Sequence, residues 1–313
     1  MPTPPEVRRQ KRLDALAKAR YGVPITFVVA GVQKGATSTL YRMLDRHDRI
    51  AGGPEKELNF FTQESADWLN PDYSSYVRPA DSRSVDQAGD ATPAYLTWPH
   101  AFERMHRYRP DLRIVSTVRD PIERAVSQWC MERARREGVP EFTDAIREWA
   151  SPQLPEEVPP GCSSADFRIR TMFTRGLYGQ AMQRCLASFD RQQVLFLDFT
   201  EVVSDHRTTL DRVTDFLGLA RFERHPRLKH ANPTRADEGG GSVTVGDIER
   251  LVQVYADDLP RFGALSGLDI RHWSTCRVLA GDQTVADLAD GVARKAGLRL
   301  DGRASATGTF ARR

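Results

Sequence analysis

A chain of 313 residues, 40% hydrophobic and 28% charged, has ordinary globular composition and enough length to bury a core without staples. Its net charge of +3 implies no bulk polyanion partner, nucleic acid included. Cys130, Cys162, Cys185 and Cys276 stand far apart with no CxxC pair, which argues against a zinc site or disulfide framework and for a reducing, cytoplasmic setting. No apolar run is long enough to span a bilayer, so no integral membrane segment is expected.

Residues 1–20 are rich in Arg and Lys and lack the apolar stretch of a signal peptide. With Leu13, Leu16 and several alanines they read as a short basic helix packed on its own domain. Residues 25–30 (ITFVVA) form the first strand, a continuous apolar run of the kind a buried parallel strand needs. A glycine-bearing loop, residues 31–36, leads into a helix over 37–46. The second such unit has a strand at 113–118 and a helix from Pro121 to about residue 136. A third strand at 194–197 precedes helical residues 206–217. Prolines 152, 155, 159 and 160 make residues 151–166 a loop, and Gly239-Gly240-Gly241 marks a second. A single helix is expected over 245–262, a short one over 285–298, and a disordered basic tail from Asp301. Strands alternating with helices predict an α/β fold with a central parallel sheet flanked by helices on both faces. The boundaries read as 1–20, a main domain over 21–274, and a C-terminal extension over 275–313.

Two segments carry chemistry. Gly31-Val32-Gln33-Lys34-Gly35-Ala36-Thr37-Ser38 lies between strand and helix, where small residues admit an anion and the first helical N–H groups point at it. Thr37 and Ser38 add hydroxyl donors. The loop is not a Walker A sequence, since Ala36 stands where that pattern has lysine and the lysine comes earlier, at Lys34. A βα turn with a surface lysine is the plain alternative. Arg119 ends the second strand, and Ser127 follows two helical turns later. A bidentate cation and a hydroxyl could hold a second, separate phosphate, although Arg119 could equally pair with Asp120 or Glu123.

Together, Gly31 to Thr37 and Val118-Arg119-Asp120-Pro121-Ile122-Glu123-Arg124-Ala125-Val126-Ser127 resemble the two donor-binding elements of the sulfotransferases that use 3′-phosphoadenylyl sulfate (PAPS). The likeness is to the branch of heparan sulfate-type enzymes and their bacterial relatives. It extends to Lys56-Glu57-Leu58-Asn59-Phe60-Phe61, Asp90-Ala91-Thr92-Pro93-Ala94-Tyr95, Gly176-Leu177-Tyr178, Phe216-Leu217-Gly218-Leu219 and Trp273. The resemblance implies a P-loop-like sheet that binds the 5′-phosphosulfate through Lys34, Gly35, Ala36, Thr37 and Ser38, and the 3′-phosphate through Arg119 and Ser127. It makes Glu57 the general base, with Glu55 its neighbour and rival and a surface glutamate paired with Lys56 the plain alternative, and Lys34 the stabiliser of leaving-group charge. Phe60 and Phe61 would dry the site.

Asp90 and Tyr178 are candidates to face the acceptor; Asp90 could instead orient Lys34 or make a structural hydrogen bond at a strand end, and burial in the core is the commoner fate of a residue like Tyr178. Arg235, beside Gly239-Gly240-Gly241, is the candidate for the family's later 3′-phosphate loop, and His230 is not taken as a metal ligand. No metal is implied, and the product nucleotide would be adenosine 3′,5′-bisphosphate (PAP). Ala91 replaces a lysine found in heparan-modifying members, which argues against a sulfated polysaccharide. The acceptor would be a small molecule, glycoconjugate or lipid-like compound bearing a hydroxyl, less readily an amine, selected by the loop at 151–166. The oligomeric state stays open. A P-loop nucleotide kinase and a nucleotide-binding scaffold without catalysis are the alternatives.

Overall fold

Two strands that bury both faces decide the architecture. The computed structural model describes residues 22–53, 55–79, 85–228 and 241–301. In it, β2 (Phe27–Gly31) is buried at every position and β6 (Arg113–Val118) at all but the first. Their side chains alternate between two cores: Val28, Ala30 and Ile114 enter one, while Phe27, Val29 and Val115 enter the other. Such strands belong in mid-sheet with helices above and below. The sheet runs β3 (Ile50–Ala51), β5 (Gln87–Asp90), β2, β6 and β7 (Val194–Asp198), parallel throughout. This is the α/β sheet that the alternation of strands and helices predicts. Two small pairs lie outside it, β1 (Gly22–Pro24) antiparallel to β4 (Val77–Pro79), and β8 (Ser242–Thr244) parallel to β9 (Arg299–Asp301).

From β2 the chain runs outward to β3, returns to β5, then crosses to β6 and β7. The strand order therefore reverses between β2 and β6, and a crevice opens at their carboxyl ends, where open α/β sheets bind ligands. On the Phe27 side, α1 (Thr37–Leu44) and α8 (His206–Leu217) close the core with Leu40, Leu44, Leu210, Val213 and Leu217. The larger core, on the Val28 side, takes α2 (Ala101–Tyr108), α3 (Pro121–Arg133), α4 (Phe142–Trp149) and α5 (Ser164–Arg170). It also takes α6 (Tyr178–Leu186), α9 (Val245–Tyr255), α10 (Asp258–Ser266) and α12 (Val285–Ala296). Short helices α7 (Phe199–Ser204) and α11 (Ser274–Ala280) complete the set among the described residues.

Carboxylates tie distant parts of the chain together. Asp120 caps α3, accepting the N–H groups of Ile122 and Glu123 at 3.0 Å each, and its other oxygen accepts the Thr275 N–H at 2.8 Å. The Trp273 indole donates to Asp198 at 2.6 Å, so the start of α11 is held at the ends of β6 and β7. Asp258 accepts the N–H groups of Gly179 at 2.7 Å and Gln180 at 2.9 Å, capping α6 from another helix. A Cβ at Gly179 would lie 2.6 Å from the Asp258 carbonyl oxygen, so only glycine permits this approach.

Several elements depart from the sequence reading. Residues 245–262 form two helices, because Pro260 offers no N–H to the Ala256 carbonyl and its ring would clash there. β3 and β5 were not anticipated: one has two residues, and the other, Gln-Ala-Gly-Asp, has no β-branched residue. The proline-rich loop ends at Ser163, whose hydroxyl caps α5 by accepting the Asp166 N–H at 3.1 Å. The helix expected over 1–20, His230, Arg235, Gly239, Gly240 and the tail beyond Asp301 lie outside the described residues. No helix among the described residues is long and apolar enough to cross a membrane.

Replacing Asp120 with Ala strands three backbone N–H groups and should cost about 2–4 kcal/mol of stability, read as a lower urea midpoint with unchanged slope.

Candidate functional site

The loop after β2 rests on the end of β6. The Val32 N–H donates to the Thr117 carbonyl at 2.7 Å, and the Gly35 N–H returns to the Val32 carbonyl at 2.9 Å. A Cβ at Gly35 would stand 2.7 Å from that same Thr117 oxygen, which explains the glycine. Lys34 and Ala36 both adopt left-handed backbone, with φ of 70° at each. No side chain caps α1, and its first residues line the crevice, an arrangement suited to an anion. Lys34, Ala36, Thr37 and Ser38 line a cavity of about 530 Å³, with Gly35 behind them as the point of close approach. Burial pulls the Lys34 ammonium below its usual range, and the charges of Arg119 and Arg135 pull the same way.

Arg119 lines this cavity too, and it also lines a second of about 160 Å³ together with Ser127, Glu123, Val126, Val292, Lys295 and Ala296. The predicted pair is thus brought together, next to the first cavity and distinct from it. The Arg119 guanidinium lies over the Phe199 ring, 4.7 Å from its centroid, and pairs with Glu123 at 2.8 Å. Its Nε is buried without a hydrogen-bond partner. Behind it, the Tyr178 hydroxyl donates to the Arg119 carbonyl at 2.8 Å. Tyr178 is fully buried against Phe262 and Trp273 and lines neither cavity. It supports Arg119 instead of facing an acceptor, which corrects the expectation.

Glu57 lines the large cavity, its side chain 44% exposed and one oxygen 2.7 Å from the Lys56 ammonium. Glu55 does not line it; its carbonyl accepts from Arg78 at 2.8 Å. Glu57 and Asn59 hold left-handed φ values of 64° and 52°, which the segment from Asp90 to Tyr95 fixes. The Glu57 N–H donates to the Ala91 carbonyl at 3.1 Å, that of Leu58 to Asp90 at 3.3 Å, and that of Phe60 to the Tyr95 hydroxyl at 2.9 Å. Asp90 has no solvent exposure and lines neither cavity. It accepts from the hydroxyls of Tyr76 at 3.1 Å, Tyr95 at 2.9 Å and Thr92 at 3.1 Å. Burial pushes its pKa up, against those bonds and the charge of Arg78. Asp90 therefore holds the loop that carries Glu57, which corrects its assignment to the acceptor. Phe60 and Phe61 pack with Tyr76 in an aromatic cluster away from the cavity wall.

The cavity is richer in cations than the sequence reading expected. Lys34, Arg42, Lys56, Arg119, Arg135, Arg136, Arg168 and Arg175 line it, against two carboxylates, Glu57 and Glu132. Arg175 is 2% exposed, bonded to Gln33 at 2.6 Å, and burial lowers its pKa to about 9. Of these, Arg135 and Arg136 follow the end of α3, Arg168 lies on α5 and Arg175 in the turn before α6. Only the run Arg133 to Arg136 signals any of these four in the sequence. No residue of the proline-rich loop reaches the cavity; its Leu154 N–H is bonded to Gln180 at 2.9 Å on α6.

Among known proteins, the sulfotransferase domain family matches residues 24–237. Human heparan sulfate glucosamine 3-O-sulfotransferase 6 is 29% identical over 62% of this chain and 52% of its own length. Human heparan sulfate glucosamine 3-O-sulfotransferase 3B1 is 27% identical over 62% of this chain and 46% of its own. The chain thus spans about half the length of these curated relatives. The crystal structure of a sulfotransferase from Alicyclobacillus acidocaldarius superposes with a TM-score of 0.59 at 23% identity, covering 80% of this chain and 99% of that one. That likeness is one of fold.

Ala36 pays for its left-handed backbone with a Cβ that glycine lacks. Ala36→Gly should raise stability by about 1 kcal/mol, measured by thermal or urea unfolding.

Proposed function

The chain belongs to the sulfotransferase family, and from that premise we propose that it transfers a sulfuryl group from PAPS to an acceptor hydroxyl. The observation that carries the reading is Arg119, the common wall of two adjoining cavities. One presents Lys34 and the uncapped start of α1, fit for the 5′-phosphosulfate; the other presents Ser127, fit for a 3′-phosphate. A nucleotide with two separated phosphates matches that division better than ATP does, which disfavours the nucleotide kinase. Arg235 remains a candidate contact to the 3′-phosphate.

In this reading the new bond forms between the acceptor oxygen and sulfur while the sulfur–oxygen bond to the 5′-phosphate breaks, releasing PAP. Lys34 stabilises charge growing on the departing oxygen. Glu57 takes the acceptor proton, its carboxylate held at the cavity by the backbone bonds from Asp90 to Tyr95. Metal is not required by this arrangement, since the cations are supplied by the chain. Arg135, Arg136, Arg168 and Arg175 exceed what the donor needs and favour an acceptor that carries negative charge, such as a glycoconjugate. A glycan acceptor also accords with the relatives' names, and Ala91, buried and lining neither cavity, weighs less against a sulfated polysaccharide than the cationic wall weighs for one.

Calorimetry without metal tests the donor site. PAP should bind more tightly than ATP or ADP, and Arg119→Ala should cost about 2–5 kcal/mol. Equal or better binding of ATP, or indifference to Arg119, would overturn the reading and restore the kinase. Glu57→Gln should slow transfer from labelled PAPS by roughly 10²–10⁴-fold while PAP affinity stays level, with heparan sulfate the first acceptor offered. Undiminished transfer by that variant would remove Glu57 as base.

A further inference from the structure

The cavity that holds Ser127 has a wall from beyond the matched domain. α12 lies across α3, with Val292 and Ala296 packed into the core beside Val126 and Lys295 on the same helical face. Its position is fixed at both ends. The Thr284 hydroxyl caps the first turn by accepting the Asp287 N–H at 3.0 Å, and Gly297 ends the helix at φ 70° before β9 joins β8. Lys295 reaches back over the cavity and places its ammonium 2.7 Å from one oxygen of Glu123, whose other oxygen is 2.8 Å from Arg119.

We infer that Lys295 is a third donor to the nucleotide's 3′-phosphate, alongside Arg119 and Ser127, and that Glu123 occupies the anion's place between the two cations. This rests on the donor-site reading given above. Glu123 behaves as a stand-in anion would. Burial works to keep it protonated, yet the bonds from Lys295 and Arg119 hold its carboxyl below the usual range. A phosphate offers more charge and more acceptor oxygens than one carboxylate, so it competes for both cations once the nucleotide enters. The buried Nε of Arg119, without a partner, is a donor that Glu123 leaves unmet. Lys295 is 64% exposed, so its stem can follow the anion without disturbing α12. The charge that Gly239-Gly240-Gly241 and Arg235 were expected to supply thus has a second source.

The test compares PAP with adenosine 5′-phosphate, which lacks only the 3′-phosphate, by calorimetry on wild type, Lys295→Met, Lys295→Arg and Glu123→Gln. Lys295→Met should weaken PAP about tenfold and leave adenosine 5′-phosphate within twofold. Lys295→Arg should restore most of the loss, and Glu123→Gln should tighten PAP, because it removes the competing anion. An unchanged preference for PAP in Lys295→Met overturns the role of the lysine while leaving the donor site standing. A wild type that shows no preference for PAP over adenosine 5′-phosphate overturns both. Lys295 is exposed, so the methionine variant should melt with the wild type, and a variant that does so reports on binding alone.

Discussion

The relation between the two halves of the site hangs on one hydrogen bond, from the Val32 amide to the Thr117 carbonyl. It seats the loop after β2 on the last turn of extended chain in β6, two residues before Arg119. The pairing of β2 with β6 shifts register between Val29 and Gly31, which gives the loop the offset it needs to reach Thr117. A Cβ at Gly35 would press on the same oxygen, so the glycine is what lets the loop lie this close. The backbones that carry Lys34 and Arg119 are therefore held relative to one another. That is the condition under which charged groups aimed at a ligand lose least on binding it.

Holding cations ready has a cost in stability. Arg124 is fully buried and relies on the Met172 carbonyl and on Gln128 at 2.6 Å, while Arg175 relies on Gln33. Neither has a carboxylate of the described residues within salt-bridge distance, and burial draws both below the usual guanidinium range. Desolvated charge without an opposite charge is destabilising by several kcal/mol unless hydrogen bonds or a ligand offset it. Asp90 is buried too, but it has a guanidinium in reach, Arg78 at 3.8 Å, besides three hydroxyls and an amide. The apolar cores on the two faces of the sheet, both fed by the continuous apolar run of β2, offset these costs.

How much of this could be read from the residues alone varies with the physics of each part. The two anion loops were legible because a continuous apolar strand, small residues and a helix start are local signals. Glu57 was reached by resemblance, and it does line the cavity. Asp90 and Tyr178 were read as facing the acceptor because a polar group at an element's end points equally well outward or inward; only packing decides, and both point inward. The arginines on the cavity wall and Lys295 were missed for another reason. They come from the turn after α3, from α5, the turn before α6 and α12, and no periodicity links residues 135, 168, 175 and 295. β5 escaped notice because Gly89, poor in strand character, is there to seat the Phe27 ring, from which a Cβ would be 2.4 Å.

The carboxylate of Asp258 on the first amides of α6 has a consequence for the order in which the molecule can be assembled. Gly179 and Gln180 belong to the stretch matched by the sulfotransferase family, whereas Asp258 comes almost eighty residues later. During synthesis the sheet and its first helices can be complete while the start of α6 still has no acceptor for its N–H groups. That helix end stays open to water, or to a chaperone, until α10 has left the ribosome. The last quarter of the chain thus closes a fold whose cavity-lining loops were made long before it.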